Sequence, residues 1–126
     1  MNVVDSSGWL EYFADGPNAG FFAEPLADVD ALVVPAISIY EVFKRLNQQC
    51  GESVALEAVA LMQQGGQVEL DGDLAISAAR LSLEWKLPMA DSLILAAAQL
   101  HHATLWTEDA DFSGIENVRY VVKSSM

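Results

Sequence analysis

Residues 87–112 read LPMADSLILAAAQLHHATLWTEDADF. Pro88 and Met89 open a helix, since proline is favoured at a helix start. The first turn carries one acid, Asp91, and the apolar run 93–98 continues the helix. A short apolar strand follows at residues 104–107. It ends in an acidic turn that holds Asp109 and Asp111. A helix that hands over directly to a short apolar strand is the repeating unit of a parallel α/β fold.

The same alternation extends to both sides. Residues 1–4 form an apolar strand that ends at Asp5, and Ser6 or Ser7 caps a helix with Trp9, Leu10 and Phe13 on its apolar side. Gly16, Pro17 and Asn18 break it. A second helix through Phe21, Phe22 and Leu26 bends or ends near Pro25. Residues 32–35, LVVP, form a second strand whose unbroken apolar character fits a sheet covered on both faces. Ser38 opens a third helix striped by Val42, Phe43 and Leu46 and stopped by Gly51. A fourth helix, 53–64, carries Val54, Leu56, Val59, Leu61 and Met62 and stops at Gly65 and Gly66. Residues 68–70 are a third strand. Asp71 or Asp73 caps a fifth helix with Leu74, Ile76, Ala79, Leu81 and Leu83 inward, and residues 118–122 are the last strand. The pattern predicts one domain over residues 1–126, with an open parallel sheet and helices on both faces. Crossovers in such a sheet are right-handed, and ligands bind beyond the C-terminal strand ends.

Eighteen acids face six bases, for a net charge of −12. That excludes non-specific binding to nucleic acid or anionic lipid, because phosphates are repelled. It suits a basic partner or acids neutralised by a metal. The single cysteine, Cys50, forms no internal bridge, which fits a cytoplasmic setting; it is expected to be a small buried hydrophobe. Neither a signal peptide nor a membrane span is expected. At 52% hydrophobic residues the chain has an apolar excess, which points to a partner or to self-association as a homodimer.

The parallel topology gathers four acids at one rim. Asp5 ends strand one, Glu41 lies in the first turn after strand two, and Asp109 lies just past strand four. Asp91 joins them because its helix runs antiparallel to the strands, so its N-terminus sits at their C-terminal edge. Each acid alone also reads as a helix cap; Ser38-x-x-Glu41 matches the capping box. Crowded together, however, they raise one another's pKa and call for cations. With no histidine or cysteine among them, the ligand set is all oxygen and selects Mg²⁺ or Mn²⁺. Such ions clamp phosphate oxygens and activate water for in-line displacement. Lys44 and Arg45 follow Glu41 on its helix and read as an ion pair with it or as phosphate or partner contacts. His101 and His102, adjacent and therefore pointing to different sides, do not chelate one ion.

The segments VVDSS, SIYEV, LPMADSLILAAA and LWTEDADF resemble the four motif segments of PIN-domain ribonucleases, and the small single-domain form is similar to VapC-type toxins of bacterial toxin–antitoxin pairs. The resemblance implies a three-layer α/β/α sandwich with a five-stranded parallel sheet, and Mg²⁺- or Mn²⁺-dependent cleavage of RNA. It places Asp5, Glu41, Asp91 and Asp109 at the catalytic acids, with Asp5, Asp91 and Asp109 on the metal. Ser6, Thr107 and Asp111 take supporting positions. It also implies a cognate antitoxin seated near the aromatic residues of the first two helices. Two other readings compete. A PIN-fold interaction module without activity draws its support from the charge. A receiver-type phosphoacceptor domain would need an acid pair after strand one, an Asp after strand three and a lysine near the last strand. Here Asp5 is followed by Ser6 and Ser7, Leu70-Asp71 leads into Gly72, and Lys123, the only late lysine, follows the final strand.

Overall fold

The computed structural model describes residues 1–123 of the chain, so the last three residues of the expected 1–126 domain lie outside it. Five strands alternate with six helices: β1 (Asn2–Val4), α1 (Ser6–Phe13), α2 (Ala19–Ala27), β2 (Val33–Pro35), α3 (Ala36–Cys50), α4 (Glu52–Met62), β3 (Gly66–Val68), α5 (Gly72–Trp85), α6 (Met89–Leu100), β4 (Thr104–Thr107) and β5 (Val118–Tyr120). Short 3₁₀ turns at Val29–Ala31 and Ala110–Phe112 precede β2 and follow β4.

The strands place alternate side chains on opposite faces, and the core divides accordingly. Val3, Val33 and Leu105 enter one apolar cluster with α5 and α6. Their chain neighbours Val4, Val34 and Trp106 enter a second cluster with α1, α2, α3 and α4. A period of two on a pleated strand produces this division. Helices therefore cover both faces, as expected. In α6 all seven residues from Ser92 to Ala98 are buried. A helix apolar on every side belongs in an interior, and its alanines let neighbours approach closely. No helix among the described residues is long and apolar enough to cross a membrane.

All the strand pairs are parallel, but the expected continuous five-stranded sheet is not formed. One hydrogen-bonded group runs β1–β4–β5 and a second pairs β2 with β3. They meet only at an isolated parallel bridge between Asn2 and Leu32. Strands of three or four residues hold few ladder bonds, so the ordinary twist between neighbours is enough to open the β1–β2 ladder.

Other expectations change locally. Asp5, not Ser6 or Ser7, caps α1, accepting the Gly8 amide. Pro25 lies within α2, which continues to Ala27. The helix α3 starts at Ala36 with Pro35 at its cap position, so Ser38 is helical and no capping box forms with Glu41. The third strand begins at Gly66, because its amide bonds to the Leu32 carbonyl at 2.9 Å. Gly65 beside it has no room for a side chain: a Cβ there would lie 2.9 Å from Val34 Cγ2. Gly65 thus lets the chain pass close to β2 as well as stopping α4. The buried face of α4 is Ala55, Ala58 and Met62, and that of α5 is Leu74, Ala78 and Leu81. Val54, Leu56, Leu61, Ile76 and Leu83 are exposed. Cys50 is exposed as well.

Gly8 marks where α1 crosses β1 and α2. A Cβ there would meet Phe22 Cε1 at 2.6 Å and Val4 Cγ1 at 2.7 Å, both fully buried side chains. Alanine gains up to about 1 kcal/mol of helix propensity over glycine, whereas overpacking a core costs about 1–3 kcal/mol. Gly8→Ala is therefore expected to lower the urea midpoint. An unchanged or higher midpoint would show that the Phe22 ring gives way.

Candidate functional site

The strand register brings the first acid to the fourth strand. Val4 lies opposite Trp106 in the β1–β4 pair. The Asp5 amide continues the ladder by donating to the Trp106 carbonyl at 3.2 Å. Asp5 and Thr107 are thus adjacent at the C-terminal edge. The Thr107 hydroxyl donates to Asp5 Oδ2 at 2.5 Å and accepts the Asp109 amide at 2.9 Å. Asp5 Oδ1 accepts the Gly8 amide and the Ser7 hydroxyl, each at 2.8 Å. Three donors therefore hold a carboxylate that is 2% exposed.

Glu41 arrives from α3. Its Oε1 accepts the Ser6 hydroxyl at 2.6 Å, which fixes it to the start of α1. Asp91 arrives from the first turn of α6. Its carboxylate oxygen and those of Asp109 and Asp111 all lie within 4.8 Å of one another. Asp109 caps the 3₁₀ turn, accepting the Asp111 amide at 2.9 Å. The tightest cluster therefore contains Asp111, read from the sequence as supporting, and not Asp5.

The electrostatics tie the groups together. Burial pushes the Asp91 carboxyl up to about 7, reinforced by the charges of Asp109, Asp5, Glu41 and Asp111, in that order. Burial pushes Asp5 up to about 6 against the opposing hydrogen bonds from Thr107, Gly8 and Ser7. One open cavity of about 510 Å³ is walled by Asp5, Glu41, Asp91 and Asp109 together with Lys44 and Arg45. The oxygen donor set and the mutual repulsion of these carboxylates fit a hard divalent cation, which would relieve that repulsion. His101 and His102 lie at the other end of α6, away from the acids.

Sequence reasoning passed over three neighbours. Ser7 holds Asp5, and Tyr40 and Gln48 line the cavity. Tyr40 and Gln48 carry a readable signal, since with Lys44 they recur at every fourth position of α3. Buried beside the rim is Glu108, whose carboxyl is pushed up by burial and partly held down by the Asn18 amide.

The sequence matches the family model described as PIN domain over residues 3–118. Among solved structures, it resembles a chain of a toxin–antitoxin complex from Klebsiella pneumoniae, with 26% identity, 94% of this chain and 96% of that chain covered, and a TM-score of 0.79. It also resembles Mycobacterium tuberculosis VapC20, described as a sarcin–ricin loop cleaving toxin, at 19% identity, 92% and 95% coverage, and a TM-score of 0.76. The DNA-bound VapBC2 of Rickettsia felis contains a chain similar at 15% identity, 96% and 97% coverage, and a TM-score of 0.73. No curated protein sequence matches this one.

The upward shifts have a thermodynamic consequence. The native state binds these protons more tightly than the unfolded chain, whose aspartates titrate near 3.8. In metal-free protein the stability contributed by the two groups is complete below that value and is lost as pH rises through about 6 and 7. The melting temperature without metal is therefore expected to fall between pH 5 and pH 8. Millimolar Mg²⁺ should restore more of it at pH 8 than at pH 5. Asp91→Asn should flatten the profile and raise the metal-free melting temperature at pH 8, by about 3–6 °C for each kcal/mol recovered. A wild-type profile that rises with pH, or an Asp91→Asn profile identical to it, would contradict this account.

Proposed function

This chain belongs to the PIN domain family, and from that premise we propose that it is a metal-dependent endoribonuclease. On this reading it is the toxin of a VapBC-type toxin–antitoxin pair and acts on RNA in the cytoplasm. The observation that carries the reading is the convergence of Asp5, Glu41, Asp109 and Asp111 on Asp91 at one open edge of the sheet. A purely structural set of caps would not need to face one another across a cavity.

Asp91, Asp109 and Asp111, with Asp5 behind them, would hold Mg²⁺ or Mn²⁺. Such an ion would neutralise the phosphate oxygens and favour ionisation of the attacking water. The protein's own groups position the reaction. Glu41, pinned by Ser6, orients the water and accepts its proton. The water oxygen forms a bond to phosphorus in line, the opposite P–O bond breaks, and the departing sugar oxygen takes a proton from solvent. Lys44 and Arg45 offer positive charge to the strand from the same cavity.

The partner of this reading is a cognate antitoxin. A second cavity of about 530 Å³ is walled by apolar residues of α1, α3 and α4, among them Leu10, Phe13, Val54 and Leu61. Of the aromatic residues of α1 and α2 only Phe13 lines the groove, and Trp9 and Phe22 are core residues. Ser7, Leu10 and Arg45 wall both cavities. An amphipathic segment in the groove therefore reaches the rim of the acids, the helix-in-groove mode of recognition.

Homodimer formation is assigned to the apolar side chains left exposed on α5 and at the start of α6, including Ile76, Leu83 and Met89. Light scattering should give twice the chain mass for wild type and the monomer mass for Leu83→Lys. A monomeric wild type would remove the assignment.

The enzymatic test uses purified wild type, Asp91→Asn and Asp109→Asn with labelled RNA. Wild type should cleave with Mn²⁺ or Mg²⁺, lose activity in EDTA and inhibit growth when expressed alone. Each variant should lose at least about a hundredfold, the scale of removing one group from transition-state stabilisation. Equal cleavage and equal growth inhibition by all three proteins would sink the proposal.

A further inference from the structure

The helix α3 carries an exposed ridge beside the acids that the hydrolytic chemistry does not use. Tyr40, Lys44 and Gln48 follow one another at four-residue intervals, so they lie on one side of the helix, about 6 Å apart along its axis. All three wall the same cavity as Asp5, Glu41, Asp91 and Asp109. Tyr40 is 60% exposed. Its neighbour in sequence, Glu41, turns inward to Ser6. The Lys44 Nζ lies 5.8 Å from the centre of the Tyr40 ring. A cation over one face steadies the ring and leaves the other face open.

Tyr40 thus sets an exposed aromatic face at the edge of a polar cavity. The charge of the chain gives that face its use. With a net charge of −12 and two bases in the cavity wall, phosphate attraction alone holds a nucleic acid strand poorly. Stacking of a base on an aromatic face is independent of net charge and tolerant of sequence. Aromatic, cation and amide in a row are also the groups that single-stranded recognition combines: a stacking face, a phosphate contact and a base-edge donor and acceptor.

We infer that Tyr40, Lys44 and Gln48 form a track for single-stranded RNA. Tyr40 stacks on the base next to the cleaved phosphate, Lys44 takes a flanking phosphate, and Gln48 bonds the edge of a base further along. The inference rests on the ribonuclease reading above and assigns the substrate path of that site. Tyr40 is a substrate-binding residue in it, distinct from the acids that perform hydrolysis.

The experiment measures cleavage of a labelled oligoribonucleotide with Mn²⁺ by wild type, Tyr40→Ala and Tyr40→Phe. Competition uses an unlabelled oligoribonucleotide and a chain of equal length that lacks bases. Tyr40→Ala should raise KM about tenfold with kcat within about twofold, because it removes binding shared by ground and transition states. Tyr40→Phe should keep the wild-type KM, since the ring face and not the hydroxyl is required. The baseless chain should compete about tenfold more weakly than the full chain against wild type, and the gap should narrow severalfold against Tyr40→Ala, where only the Gln48 contact to a base remains. The exposed position of Tyr40 leaves the melting temperature of both variants unchanged. A wild-type KM in Tyr40→Ala, a loss in Tyr40→Phe equal to that in Tyr40→Ala, or equal competition by both chains against wild type would each overturn the track while leaving the nuclease intact. A wild type that neither binds nor cleaves RNA would remove the nuclease reading, and the track with it.

Discussion

The Thr107 hydroxyl has no exposed surface, donates to Asp5 Oδ2 and accepts the Asp109 amide. One oxygen thereby joins the first strand, the fourth strand and the acidic turn after it. This is possible only because β1 and β4 pair in parallel, with both C-terminal ends at the same edge. An unpartnered carboxylate at 2% exposure would be expensive to bury. The three donors to Asp5 make its burial tolerable, and the fixed position of Asp5 in turn constrains where α1 begins. The buried helix α6 completes the arrangement from the other face. Seven consecutive residues of it are buried, so turning Asp91 away from the rim would break the close packing of their side chains.

The same packing creates a conflict. Close carboxylates repel, and the burial of Asp91 deepens the cost of their charge. A chain selected for stability alone would replace one of them. Retaining the set is the usual mark of a site in which function overrides local consistency. The second hydroxyl–carboxylate bond, Ser6 to Glu41, shows the same economy of structure: the start of α1 holds two of the acids, Asp5 through its own cap and Glu41 through Ser6.

The stretch that was most legible in the sequence is the one with the least choice. Residues 93–98 are apolar in every direction, and the expected strand 104–107 matches β4 residue for residue. The alternation of helix and strand placed Asp5, Glu41, Asp91 and Asp109 at one edge without knowledge of any distance. What failed depended on tertiary choice. On α4 and α5 large aliphatic residues occupy more than one side, and close packing selected Ala55, Ala58 and Ala78 over Leu56, Leu61 and Leu83. Small residues win where helices approach closely, which periodicity does not record. Ser38 misled because Pro35 can itself precede a helix, so α3 starts before the serine. The break between β2–β3 and the remaining strands follows from ladder geometry, and no residue type announces it.

Charge placement gives the site its direction. Of the six bases in the chain, Lys44 and Arg45 stand at the acid rim on the middle of α3. Arg45 also walls the apolar groove, as do Ser7 and Leu10. The start of α1 and the middle of α3 therefore form a shared wall between a polar cavity and an apolar one. On the nuclease reading, a segment seated in the groove need not enter the acid cluster to affect it. By drawing Arg45 toward its own acceptors it would leave Lys44 as the remaining cation of the cavity. In a chain carrying a net charge of −12, that loss weighs more heavily on a polyanion than it would in a basic protein. On that reading the acidity of the chain makes the site easy to switch off, because so few groups sustain its attraction for phosphate.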